Sequence, residues 1–389
     1  MSPELGREVG APGFSITRGP FLRVLRRLHL TRGDGTPRAW AFVVLAWVPL
    51  CIGAVFHVIV GRQPAPILFD ISVHARLLIG IPLLIQAGRL LEQRCRTAVA
   101  QLYDGNFADR ADVDRIINSA KRLRGSRLAE LLIVVVALLL GQAVLWGRVG
   151  PTGLFAGVSQ AGAISFAQVW YASVALPIVQ FCFFAWVWQW LIWTYVIVRV
   201  SRLQLATIAT HPDRAAGIGF LAAPVSAFWG FVLAIATMLA SVWGTEILDH
   251  RATLETFVPT FLVFLASATV FACGSLCFYA GILYRARHRD IPKYNRLALE
   301  YVRQFDAKWA AGRPRDEPLL GMSDIQSLND MLGTYGHLEA MRLVPFGPRA
   351  LVGLVAAAVI PMLPLAATTM PIGELLKKVG GALLGGLPV

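Results

Sequence analysis

Residues 166–198 read FAQVWYASVALPIVQFCFFAWVWQWLIWTYVIV, thirty-three positions without one Asp, Glu, Lys or Arg. Continued to residue 200, one helix would be about 52 Å long at 1.5 Å per residue, well past the roughly 30 Å of a bilayer's hydrocarbon, so it must tilt or protrude. Trp170 and Tyr171 near one end and Trp190, Trp193 and Tyr195 near the other are spaced like two interfacial aromatic belts, with Arg199 and Arg202 reaching the headgroups beyond. Trp186 and Trp188 lie deeper and read as packing or lipid-facing residues.

The same signature recurs outward in both directions. Mean hydropathy is +0.60 with only 15% charged residues, too apolar for a soluble domain of 389 residues. Apolar runs able to span a bilayer as helices occur near residues 40–60, 72–91, 129–148, 166–198, 220–245, 257–284 and 350–370. The fold expected is therefore an all-α polytopic transmembrane helix bundle of about seven spans, with amphipathic helices in the loops. Pro361 and Pro364 interrupt the last run and predict a kinked or re-entrant span.

Basic residues set the orientation. Of the 36 Lys and Arg residues, 30 fall in segments 1–39, 89–127, 199–216 and 285–349, while the intervening loops carry one each, at Arg62, Arg148 and Arg251. Cytoplasmic loops keep Lys and Arg, so the N-terminus is expected inside a bacterial inner (plasma) membrane. The seven-span topology then leaves Lys377 and Lys378 outside, which the same rule disfavours. The organisation reads as a basic cytoplasmic leader (1–39), a first hairpin (40–91), a cytoplasmic loop (92–128), a four-span core (129–284), a cytoplasmic region (285–349) and a last span with its tail (350–389). No cleavable signal is evident, since 39 mostly polar residues precede the first run, which is expected to stay as an anchor. Within the leader, Phe21, Leu22, Val24, Leu25 and Leu28 can share a helical face opposite Arg23, Arg26 and Arg27, as in a helix lying in the headgroup layer; a disordered basic leader fits equally. The bulk of the formal charge of +13 faces inward on this reading and favours anionic lipid headgroups. Nucleic acid is not expected, because no binding motif accompanies the charge.

Four of the five cysteines sit in apolar runs, which argues against a disulfide framework; Cys273 and Cys277 share a helical face but find no His or carboxylate in their span to complete a metal site. Ionisable residues within spans would signal ion coupling. Here His57, His74, Arg76 and Glu130 all read as interfacial, and Gln86, Gln180 and Gln189 as bonds between helices or the lining of a polar path.

Polar motifs gather in two inner segments. In Thr210-His211-Pro212-Asp213-Arg214-Ala215-Ala216-Gly217-Ile218-Gly219-Phe220, Thr210 and Asp213 resemble a capping box before a membrane helix, while His211, Asp213 and Arg214 form a candidate cluster for a headgroup, a phosphate or a partner loop. In the second segment Ser323 is a candidate N-cap, and Ile325, Leu328 and Leu332 share a face of an amphipathic helix expected to pack under the bundle. Asp316, Glu317, Asp324 and Asp330 are candidates to pair with Arg214 or other inner arginines as a latch, with Arg342 nearby. No EF-hand spacing is present, and the G-x-G-x-x-A match at Gly217–Ala222 opens a membrane span with no preceding strand, so no metal or cofactor is expected. Phosphate-loop, zinc-protease and nucleophile-elbow motifs are missing, so no catalytic residues are assigned and an enzyme ranks third.

Trp170-Tyr171-Ala172-Ser173 with Leu176-Pro177, Val200-Ser201-Arg202-Leu203, His211-Pro212-Asp213-Arg214, Glu300-Tyr301-Val302-Arg303, Asp316-Glu317-Pro318-Leu319-Leu320-Gly321 and Met341-Arg342-Leu343-Val344-Pro345-Phe346 together resemble a family of bacterial multi-pass inner-membrane proteins. The resemblance covers roughly residues 70–380 and implies the helix bundle, but brings no established activity. This chain departs from the pattern at Ala216, where glycine is expected, and over residues 331–337. The function expected is a non-enzymatic scaffold or sensor acting through its cytoplasmic loops on lipids, on a protein partner or in a homo-oligomer. The alternative is a channel or facilitator for a small solute or ion.

Overall fold

A computed structural model describes residues 38–61, 65–145, 166–249, 251–312 and 323–367. The described residues form helices without strands: α1 (Ala39–Gly61), α2 (Ile71–Asp104), α3 (Arg110–Arg124), α4 (Arg127–Leu145), α5 (Phe166–Val200), α6 (Val225–Leu248), α7 (Leu254–Ala310), α8 (Ser323–Glu339) and α9 (Pro348–Ala366). Six of them, α1, α2, α5, α6 with the 3-10 turn before it, α7 and α9, are long and apolar enough to cross a membrane, so the chain is a multi-pass membrane protein. The run expected at 129–148 is α4, an apolar helix that reaches the edge of the described residues. The leader, with its candidate interfacial helix, lies outside them, as do Asp316, Glu317, Lys377 and Lys378.

Small residues let α2 and α6 approach closely. A Cβ on Gly230 would stand 3.2 Å from Ala87 Cβ, and Gly80 lies under Met238. Between membrane helices, where lipid tails are as apolar as leucine, such close van der Waals contact supplies much of the association. The pairs 80 with 238 and 87 with 230 make the two helices antiparallel. α9 runs parallel to α6, with Gly353 beneath the Trp229 ring, Trp229 Nε1 donating to Ala350 O at 3.1 Å and Leu365 beside Gly244. Pro361 and Pro364 interrupt this span, where Ile360–Met362 forms a 3-10 turn before a short helix at Leu363–Ala366.

The aromatic belts expected on α5 are corrected. Trp186, Trp190 and Trp193 recur every three or four residues on one helical face and are at most 2% exposed. Trp186 stacks on Phe231 with centroids 3.9 Å apart, and Trp190 meets Phe228 edge-on at 4.9 Å. Tyr171 is buried as well. These rings have better partners inside the bundle than at a headgroup layer.

Two helices continue past their apolar stretches at the arginine-rich end. α2 continues past Arg89 as an amphipathic helix burying Leu91, Cys95, Ala98, Val99 and Leu102, and α3 folds back, burying Val113, Ile116, Ile117 and Ala120 against α5. Asp109 caps α3 by accepting from Ala111 N. α7 is a helical run of 57 residues without a break, 3-10 at Gly274–Tyr279 and π at Asp306–Ala310. Its first half is apolar; from Arg285 onward it is polar and carries α8.

Candidate functional site at the basic end

The segment expected to begin a capped helix at Pro212 is instead a loop folded around one carboxylate. Asp213 Oδ1 accepts from Ala215 N at 2.8 Å and Gly217 N at 3.1 Å, while Oδ2 accepts from Gly219 N at 2.9 Å. Three amides converging on one side chain demand a tight reversal, supplied by left-handed backbone at Arg214 (φ 55°), Ala216 (φ 55°) and Gly217 (φ 87°). The helix proper starts only at Val225, after a 3-10 turn at Gly219–Ala222. The capping-box reading failed because Asp213 serves amides two, four and six residues ahead rather than a helix N-terminus.

Burial alone would raise the Asp213 carboxyl, but the hydrogen bonds from Ala215, Gly219, Gly217 and His211 outweigh it and hold the group below its ordinary value. His211 Nδ1 lies 3.0 Å from Asp213 Oδ1 and 3.3 Å from Asp213 N.

The loop is clamped from three sides. Arg342 Nη2 donates to Asp213 O at 2.7 Å and Arg342 N donates to Arg214 O at 2.8 Å, so one residue of the α8–α9 connection holds two consecutive carbonyls. Ala206 N donates to Phe107 O at 2.8 Å, and the Phe107 ring covers Gly217, where a Cβ would come within 2.9 Å of it. Arg289 on α7 donates to Thr207 O at 3.1 Å while paired with Asp290. The Arg289 guanidinium holds the Asp290 carboxyl below its usual range.

Of the residues singled out in the sequence, His211, Asp213, Arg214 and Arg342 therefore meet, and the contacts that tie them are largely main-chain. The Arg214 side chain is exposed and makes no hydrogen bond or ion pair with the described residues. Asp324 lies elsewhere and does not pair with Arg214: its Oδ2 accepts from Lys308 Nζ at 2.8 Å and Trp309 Nε1 at 3.1 Å, and Tyr301 Oη donates to its carbonyl. Lys308 draws the Asp324 carboxyl below its ordinary value. Asp330 accepts from Gln326 at 3.0 Å. α8 accordingly docks on α7 rather than under the bundle, leaving Ile325 and Leu332 exposed. Arg287 Nη2, donating to Glu339 O at 3.0 Å, secures the end of α8.

A second polar centre, read from the sequence as interfacial, is buried among the spans. Arg76 is 2% exposed and its Nη1 donates to Tyr171 Oη at 2.6 Å. Each partner sits in a π turn, Ala75–Gly80 on α2 and Tyr171–Ala175 on α5. Hydropathy averages cannot expose such a pair, because each polar residue is alone in its run. His74 nearby accepts from Trp47 Nε1 at 2.9 Å through Nδ1, so its Nε2 carries the hydrogen donated to Leu68 O. The interhelical bonds expected of Gln180 and Gln189 do not form. Gln180 is fully buried with neither amide atom hydrogen-bonded, and Gln189 Oε1 is likewise without a partner among the described residues. Gln86 accepts from Arg89 on its own helix.

Among the described residues no three His, Cys, Asp or Glu side chains are placed to hold a metal ion. The Asp213 carboxylate is occupied by amides and offers no base to a substrate. Comparison of the chain with models of known protein families, with curated proteins and with solved structures finds no match.

Proposed function

We propose that the protein is a non-enzymatic scaffold or sensor of a bacterial inner membrane, with its basic end in the cytoplasm. The observation that carries this reading is the continuity of α7. One helical run, 3-10 at Gly274–Tyr279, leads from the apolar half of α7 into a polar arm bearing α8, and the interlock at Asp213, Arg342 and Arg289 ties that arm to the inner mouths of α5 and α6. A shift among the spans would move the arm, and a partner on the arm would bias the spans. The exposed Arg214 guanidinium and the exposed Ile325 and Leu332 are the contacts offered to that partner.

The test is the composition of the complex extracted intact from its native membrane, with a photo-crosslinker at position 325 or 332. A stoichiometric second protein, crosslinked from α8 and lost in Arg214→Gln while insertion is unchanged, is the expected result. A closed homo-oligomer with no second protein would overturn the scaffold reading. The second reading, a facilitator for a small solute or ion, has one observation in its favour: the unpartnered amide of Gln180 and the free oxygens of Gln189 and Thr194 all lie on α5. Flux above that of empty vesicles, abolished by Gln180→Leu, would support it.

A further inference from the structure

Two cavities follow one another along α7. The first, about 1010 Å3 and almost wholly apolar, is open to the side of the bundle and lined on α5 by Phe183, Val187 and Thr194, on α6 by Phe228, Phe231, Val232 and Ile235, and on α7 by residues from Val263 to Phe278. The second, about 670 Å3, lies at the basic end between segment 201–207 and α7, with Arg202, Arg285 and Arg289 in its wall beside Gln204 and Ile282. On α7 the lining residues Phe271, Ser275, Phe278, Ile282, Arg285 and Arg289 recur every three or four positions, which makes them one stripe of one helix. On α5 and its extension Val187, Thr194 and Ser201 repeat at seven, again one face. Tyr279 Oη donates to Ile197 O at 2.9 Å and pins α7 to α5.

We propose that the two cavities together form one groove that binds a phospholipid with an anionic headgroup, its acyl chain among α5, α6 and α7 and its phosphate between Arg202 and Arg285. The argument is charge and shape together. From Val263 to Phe278 the apolar wall runs about 22 Å at 1.5 Å per residue, more than the roughly 15 Å of a single leaflet. The arginines stand where the apolar wall ends. Arg289 is committed to Asp290 and Thr207, but Arg202 and Arg285 make no side-chain hydrogen bond or ion pair with any described residue. Arg202 and Arg285 are exposed and line the same cleft, where a phosphodiester would meet their planar, forked donors. The polar cleft alone would suit a free phosphate; only a lipid uses the apolar half as well.

The experiment is native mass spectrometry of the full-length protein in nanodiscs containing equal amounts of phosphatidylglycerol and phosphatidylcholine. The expected result is one phosphatidylglycerol retained per chain in preference to phosphatidylcholine. Retention should fall at least tenfold in Arg202→Gln/Arg285→Gln and also in Gly274→Leu, which fills the groove at a position where an added side chain meets nothing closer than Val270 at 3.9 Å. Inorganic phosphate at millimolar concentration should not displace the lipid. Equal retention of the two lipids, or unchanged retention in the double variant, would mean ordinary boundary lipid and overturn the proposal. Displacement by inorganic phosphate, or insensitivity to Gly274→Leu, would overturn the assignment to a lipid. Should the double variant not be recovered folded, Arg202→Gln alone carries the same reading, because that exposed side chain holds nothing in place.

Discussion

Replacing Asp213 by alanine strands three amide donors at once. Ala215 N, Gly217 N and Gly219 N all lose their acceptor, and the residues around them, from Ala215 to Ile218, are buried. A buried donor left unpaired costs about 1–3 kcal/mol. The low end applies, because the Asp213 side chain is itself 23% exposed and water can enter as the loop relaxes. The expected loss is therefore about 3 kcal/mol, or roughly 150-fold in the opening equilibrium at 1.36 kcal/mol per tenfold. Hydrogen exchange of the 205–222 peptide in reconstituted protein reads that equilibrium directly. Exchange should accelerate by about two orders of magnitude in Asp213→Ala, while peptides from the middle of α6 stay unchanged. Asp213→Asn keeps one oxygen for Ala215 and Gly217 but sets an N–H against Gly219 N–H, so it should fall between the two. Less than a threefold change in Asp213→Ala would refute the claim that this carboxylate organises the loop.

Other outcomes follow from the same geometry. Ala216→Gly should stabilise the loop by about 1 kcal/mol, because only glycine adopts φ 55° without a Cβ penalty. Gly217→Ala should destabilise it by more than that, having both φ 87° and the Phe107 ring 2.9 Å from the new methyl; slower exchange in the first variant and faster in the second is the check. Gln180→Leu removes a buried, unbonded amide without changing volume much and should raise resistance to thermal unfolding if the residue only packs; a drop would show that the amide binds something. The Asp213 carboxyl is depressed in the folded protein, so its contribution is complete above its ordinary value of 3.8 and is lost only as pH falls below that through the folded value. Loop exchange corrected for its intrinsic rate should then be flat from pH 7 to pH 4.5, and loosening within that window would contradict the assignment.

Legibility in the sequence divides along one physical line. Hydropathy and the distribution of arginine act over whole segments, so spans, the basic end and the polar arm beyond Arg285 could be read from composition alone. That the segment from His211 to Gly219 interrupts the helices could be expected too, since Asp, Gly and a Pro beside a span punctuate a chain in one dimension. What the one-dimensional pattern could not carry is which partner each polar group takes. Asp213 turned inward to its own amides, Arg342 reached across more than a hundred residues to the carbonyls of 213 and 214, and Asp324 found Lys308 in place of Arg214. Trp190 and Trp193 are buried in the core rather than at an interface, Trp190 edge-on against Phe228 of another helix. Segment-scale preferences are sums over many residues and survive any packing; a hydrogen bond or a ring contact is decided by a few tenths of an ångström between distant stretches of chain, which only the tertiary structure sets.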